Sequence, residues 1–180
     1  MEDGFPHNGK SSSMTVGIFD GVHLGHQALL KRIVSYDAGD TPVGKTPVVV
    51  TFKQNRKIES GNIFTFNKRL DIFESVGIQI TIVIDFTEEF KKMPGIEFLE
   101  ILLKRGNVGF FAVGSGFRCG YQQDTDAEKI KNFFASHNIP MEIIPKVMEG
   151  SSPVSSSRIR SAISAGNIKS AQKMLGRTYP

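Results

Sequence analysis

The sequence predicts an α/β fold built on a doubly wound parallel sheet of about five strands, with helices on both faces. Two observations carry that expectation. Short apolar, β-branched runs alternate with amphipathic helical patterns along the chain, an order satisfied by a parallel sheet with right-handed βαβ crossovers. Three chemically unusual segments (20–26, 114–120 and 148–160) each follow a predicted strand end. In such sheets ligands sit beyond those ends, so the three should meet at one edge. The 180 residues suit one domain, large enough to bury roughly 70% of its unfolded surface.

The elements follow in order. Residues 1–13 are polar and Gly/Ser-rich and read as a flexible tail with no apolar signal core, leaving 14–180 as the single domain. Met14-Thr-Val-Gly-Ile-Phe19 reads as a buried strand, and 24–36 as a helix whose stripe is Leu24, Ala28, Leu29, Ile33 and Val34. Asp37 to Pro47, with two Gly and two Pro, reads as a loop. Val48 to Phe52 is a second buried strand. Asn67 is a candidate cap for a helix over 68–76 that Gly77 ends. Ile78 to Asp85 is a third strand, and Phe86 to Arg105 a helix interrupted at Pro94-Gly95. Val108 to Val113 is the fourth strand, stopping at Gly114-Ser-Gly-Phe-Arg-Cys-Gly120. Asp124 or Asp126 caps a helix reaching about Ser136, and Met141 to Val147 is the fifth strand. A Ser-rich loop over 151–157 leads into a helix from about Arg158, then a short helix from about Asn167 to Leu175.

Composition narrows the function classes. Net charge is +4 and the pI about 9.2, which suits an anionic small molecule as well as nucleic acid. The basic residues are scattered, without the aromatic-interleaved stripe that nucleic-acid binding calls for. Cys119 is the only cysteine, so neither an intrachain disulfide nor a cysteine-based zinc site is possible. No apolar run approaches a membrane span, and a cytoplasmic location is the expectation.

Chemistry concentrates in Gly17-Ile-Phe-Asp-Gly-Val-His-Leu-Gly-His26, where a strand gives way to a helix. Unpaired N–H groups and the positive dipole end attract phosphate there. His23 and His26 can stabilise charge growing on a phosphoryl group, and Gly25 lets a phosphate approach the backbone. Taken alone, the pair reads equally as surface histidines at a helix start, while two histidines without a third ligand make a poor zinc site. Asp20 is either an orienting partner for an imidazole or a structural turn residue. In Ser155-Ser-Ser-Arg-Ile-Arg160, the hydroxyls can cap a helix and meet phosphate oxygens, and Arg158 and Arg160 add guanidinium charge. The 114–120 turn admits a ligand or is simply tight, and Cys119 reads as a small buried hydrophobe. His7 and His137 read as plain surface residues.

These motifs resemble the FMN adenylyltransferase module of the prokaryotic FAD synthetases, in the wider nucleotidyltransferase superfamily with its His-x-Gly-His motif. The likeness runs through Gly17–His26, Val48-Val-Val-Thr-Phe52, Asp85-Phe-Thr-Glu-Glu-Phe90, Glu97-Phe98, Val154-Ser-Ser-Ser-Arg-Ile-Arg160 and Leu175-Gly-Arg-Thr-Tyr179. It implies a Rossmann-like fold and transfer of AMP from MgATP to FMN, giving FAD and pyrophosphate. It implies His23, His26 and Arg160 as the catalytic set, with Arg160, Ser156 and Ser157 on the leaving pyrophosphate. Gly17, Ile18, Phe19, Asp20, Gly25, Gly114, Ser155 and Arg158 complete the ATP side. Phe52, Asn55, Gly116, Phe117 and Cys119 would face the flavin. Mg²⁺ would come with ATP and be held by phosphates and water, with no protein metal site.

The chain departs from the family pattern mostly on the acceptor side. Lys53-Gln-Asn-Arg56 stands where the family usually has x-Pro-His-Pro, Gly116 where Asn or Asp is usual, and Cys119 where an aromatic or apolar residue is common. On the nucleotide side only Ser157 differs, replacing Thr. A nucleotidyltransferase with another phosphate acceptor, or a nucleotide- or flavin-binding protein without catalysis, are the alternatives. The sequence ends at Pro180, where the family's riboflavin kinase module would begin. The expectation is therefore no riboflavin phosphorylation by this chain, with FMN supplied by a separate kinase.

Overall fold

A computed structural model describes residues 11–36, 45–53 and 61–179. Five parallel strands form the central sheet: β1 (Ser12–Val16), β2 (Thr46–Phe52), β3 (Ile80–Ile84), β4 (Val108–Gly114) and β7 (Met141–Ile144), in the order β3-β2-β1-β4-β7. The strand order reverses between β1 and β4, which opens a crevice at their C-terminal ends. Helices α1 (Leu24–Val34), α2 (Phe66–Val76), α6 (Ser156–Ser164) and α7 (Ile168–Leu175) contribute to one apolar layer, with Leu30, Ile33, Phe73, Ile159 and Leu175. Helices α4 (Gly95–Gly106) and α5 (Ala127–Ser136) contribute to the other, with Phe98, Leu99, Leu102, Ile130 and Phe134. The period-two alternation of β2 serves both: Val49 joins the first layer, Val48 and Val50 the second.

The first strand starts earlier and stops sooner than its apolar run suggests. Ser12 and Ser13, expected in the tail, are buried in β1 because each hydroxyl finds a carbonyl at a helix end: Gly106 O and Ile33 O, each at 2.6 Å. The strand stops at Val16 because Phe19 takes a left-handed conformation (φ 54°). Thr46 and Pro47, expected in a loop, likewise belong to β2. β3 and β7 are shorter than their apolar runs.

The caps also differ in part. Thr65, not Asn67, caps α2, its hydroxyl accepting from Lys68 N at 3.2 Å, so the helix begins at Phe66. Of the two aspartates, Asp126 caps α5, accepting from Lys129 N at 3.0 Å. Asp124 reaches the start of α4, accepting from Gly95 N at 3.1 Å. The interrupted helix resolves into α3 (Glu88–Lys91) and α4. The Gly-rich turn contains β5 (Arg118–Cys119), paired antiparallel with β6 (Thr125–Asp126). The Ser-rich loop begins as a small hairpin, β8 (Met148–Glu149) and β9 (Ser152–Pro153), turning through Gly150 at φ 63°.

Candidate active site

β1, β4 and β7 are adjacent and parallel, so the segments after them leave the same edge of the sheet, as expected. Their contacts then diverge. The segment after β1 is locked to the start of α6. Asp20 is 4% exposed; its Oδ1 accepts from Ile63 N at 2.9 Å and its Oδ2 takes Arg160 Nη1 at 2.6 Å. The Asp20 carbonyl accepts from Ser156 Oγ at 2.8 Å. Ser156 and Arg160, 136 and 140 positions away in sequence, thus meet at one residue, the first at its backbone carbonyl and the second at its carboxylate. Asp20 pairs with an arginine, not an imidazole.

The turn over 19–22 is strained. Phe19, Gly21 and Val22 all have positive φ (54°, 76° and 39°), and a β-branched residue adopts that region only when its surroundings impose it. Those surroundings are specific. Gln27 Nε2 donates both to Val22 O at 2.9 Å and to Leu175 O at 2.7 Å, tying the turn to the end of α7. Phe19 lies edge-on to His26 and Phe73.

His23 caps α1, its Nδ1 accepting from His26 N at 3.3 Å. That contact leaves the proton of the neutral ring on Nε2. The two imidazoles stack at 3.6 Å between centroids, 16° from parallel. Burial lowers the His23 pKa to about 4. Burial, together with the neighbouring His23, holds His26 well below the usual histidine value. His26 Nδ1 is buried and has no hydrogen-bond partner among the described residues. A Cβ on Gly25 would lie 3.2 Å from His23 Cε1, so the glycine makes room for the imidazole.

The remaining predicted positions spread along the edge. Gly17 N donates to Val50 O at 3.0 Å, and Ile18 is 41% exposed. Ser155 caps α6, accepting from Arg158 N at 3.3 Å, and Ser157 is exposed. Arg158 turns to the hairpin: its Nη1 donates to Ser152 O at 3.0 Å and Pro153 O at 2.7 Å, and its Nη2 meets Glu149 Oε2 at 3.2 Å. A Cβ on Gly114 would enter open space, and Gly116 is exposed. Phe52, Phe117 and Cys119 pack against the α4/α5 layer, whereas Phe19 and Val22 of the histidine turn belong to the other. Phe52 packs against Phe86 and Phe90. Burial pushes the Cys119 thiol up to about 12, in keeping with a buried small residue. Asn55 lies outside the described residues. Among them, no group of three or more His, Cys, Asp or Glu could hold a metal ion, and no helix is long and apolar enough to cross a membrane.

Arg69 was not foreseen. It is 3% exposed, and its Nη1 donates to Ile18 O while its Nη2 reaches Phe52 O at 3.5 Å. It therefore bridges the segment just after β1 and the end of β2. Burial lowers its pKa, opposed by the Asp20 charge. A signal was present: Arg69 shares the buried stripe of α2 with Ile72 and Phe73, an odd place for a cation unless it is paired.

The FAD synthetase family model matches residues 5–158. Among curated relatives, the bifunctional riboflavin kinase/FMN adenylyltransferase of Buchnera aphidicola (from Schizaphis graminum) is 28% identical over 94% of this chain and 56% of its own length. That of Listeria monocytogenes is 30% identical over 92% and 54%. A Listeria monocytogenes FAD synthetase is 24% identical over 94% of this chain and 70% of its own length. The chain thus spans about half the length of the bifunctional relatives. The crystal structure titled a macrolide-efflux protein from Streptococcus pneumoniae superposes with a TM-score of 0.83 at 28% identity, over 93% of this chain and 57% of that one.

Proposed function

The chain belongs to the FAD synthetase family, and on that premise we propose that it transfers the adenylyl group of MgATP to the phosphate of FMN, releasing pyrophosphate and FAD. One observation carries the reading: the stacked His23/His26 pair and Arg160 are brought to one turn, at the sheet edge where the strand order reverses.

In this reaction the FMN phosphate attacks the α-phosphorus in line, and the protein contributes position and charge. Neutral at pH 7, His23 would act through Nε2–H as a hydrogen-bond donor to phosphate rather than as a cation. Arg160 would supply the fixed positive charge on the departing pyrophosphate. The Ser156 hydroxyl already donates to Asp20 O, so the Ser157 hydroxyl and the free N–H groups at the start of α6 would meet the remaining oxygens. Arg158, spent on the hairpin, would shape that loop. Mg²⁺ would neutralise phosphate charge; since Asp20 is engaged by Arg160 and Ile63 N, its ligands would be phosphate oxygens and water. Phe52 with Phe86 and Phe90 offers the isoalloxazine an aromatic wall beyond β2. FMN would come from a riboflavin kinase, and the setting would be the cytoplasm. A different phosphate acceptor is the second reading, favoured by Phe117 and Cys119 packing into the α4/α5 layer.

The test is direct. With MgATP and FMN, the chain should form FAD and pyrophosphate in equal amounts, and His26→Ala should abolish both. ATP binding without FAD formation would move the reading to another acceptor.

A further inference from the structure

Asp20 is bound at both carboxylate oxygens and at its carbonyl, and its carboxylate is too buried to be a ligand for phosphate or metal in its own right. Both of its oxygens are taken: Oδ1 by the Ile63 N–H and Oδ2 by Arg160. Arg160, by contrast, uses one of its five donors on Asp20; among the described residues Nη2 and Nε make no hydrogen bond. A guanidinium held at one corner by a buried carboxylate keeps its remaining fork in a set orientation at small entropic cost. The holder must itself be immobile. Asp20 meets that need, because its backbone sits within the strained 19–22 turn and its carbonyl is bound by Ser156 from the first turn of α6. Arg160 lies one turn further along that helix. Ion pair and hydroxyl bond thus span the same gap between the histidine turn and α6, and together they set one distance: that from the histidines to the guanidinium.

We propose that Asp20 is a positioning residue for nucleotidyl transfer, holding Arg160 at a set distance from His23 and His26 so that one guanidinium edge stays aimed at the leaving pyrophosphate. The proposal rests on the adenylyltransferase reading. It gives Asp20 no contact with substrate; its effect passes through Arg160.

A double-mutant cycle separates the two claims. Asp20→Asn keeps the shape and the acceptor for Ile63 N but loses the charge that holds Arg160. In the otherwise unaltered chain it should lower kcat for FAD formation by about 100-fold, the scale of a misplacement near 1 Å, with the KM for ATP changed less than a few-fold. In an Arg160→Met background the same change should cost less than about threefold, since the group it positions is gone. Equal losses in both backgrounds, or no loss in the first, would overturn the proposal. Full activity in Arg160→Met alone would instead overturn the role given to Arg160. If Asp20→Asn does not fold, a structure of the unaltered chain with ATP decides. Arg160 Nη1 should remain on the Asp20 carboxylate while another guanidinium nitrogen meets phosphate, and a guanidinium that swings off Asp20 refutes the idea.

Discussion

The histidine pair should make this protein acid-sensitive in a defined window, and His23→Asn isolates the effect. His23 sits 7% exposed with its pKa lowered from 6.5 to about 4 by burial. The unfolded chain therefore binds a proton on this residue more readily than the native one. Stability is fully present above pH 6.5, falls as pH drops, and levels off near pH 4 where the native imidazole also protonates. The gap from 6.5 to about 4 corresponds to about 3 kcal/mol. Midway, at about pH 5.3, one such histidine contributes a slope of about 1 kcal/mol per pH unit. His26, also held low, steepens it. Carboxylates confuse the window little: Glu142, held low by Arg32, adds to the loss only as pH falls through 4.5. Asparagine can still cap α1 by accepting from His26 N, so the variant should fold. Urea melts between pH 8 and pH 5 are the assay. The unaltered chain should lose stability steeply below pH 6.5, and His23→Asn should lose about 1 kcal/mol per unit less. Parallel pH profiles for the two proteins would refute the claim that His23 is buried neutral.

Three further outcomes follow from geometry. Arg69→Met removes a charge-assisted hydrogen bond to Ile18 O but also a buried Nε that has no partner among the described residues. The net loss should be about 2 kcal/mol, seen as a Tm lowered by roughly 4–8 °C; an unchanged Tm would mean that the bridge from Ile18 to the end of β2 contributes nothing. Gly120→Ala puts a Cβ 2.2 Å from Asp124 Oδ1 and 2.3 Å from Gly95 N at φ 83°. It should destabilise by about 3 kcal/mol, measured as a shift in urea midpoint. Gly25→Ala gains about 1 kcal/mol of helix propensity but crowds the His23 ring at 3.2 Å. Its Tm should therefore hold while kcat for FAD formation falls by about tenfold, and an unaltered kcat would show that the ring position is not critical.

The fold was legible because periodicity and punctuation agreed: apolar runs, the Gly77 helix end and the Pro94-Gly95 break all describe local choices. What escaped depended on tertiary partners. Ser12 and Ser13 read as tail until the carbonyls of Gly106 and Ile33 are placed beside them. Thr65 and Asn67 are both chemically fit caps, and only Thr65 stands three residues before the amide it accepts from. Arg158 and Arg160 are indistinguishable in sequence, two residues apart. On α6 that spacing points them in different directions, one into the hairpin and one to Asp20.

The charge of the site is where sequence and geometry differ most. The sequence directs attention to two histidines, as if imidazolium charge drew the phosphates. Buried and stacked, both are held neutral at pH 7. Among the described residues, the standing charges around the 19–22 turn are the guanidiniums of Arg160 and Arg69, set against the Asp20 carboxylate, while Arg158 is paired with Glu149. The group therefore carries a net positive charge that owes nothing to histidine. That balance has a measurable consequence. A phosphate site charged by imidazolium would lose ATP affinity as pH rises through 6.5. One charged by arginine should hold its ATP Kd within a few-fold from pH 6.5 to 8.5, because guanidinium does not titrate there. Calorimetric titration of ATP across that range distinguishes the two, and an affinity falling tenfold over it would return the charge to the histidines.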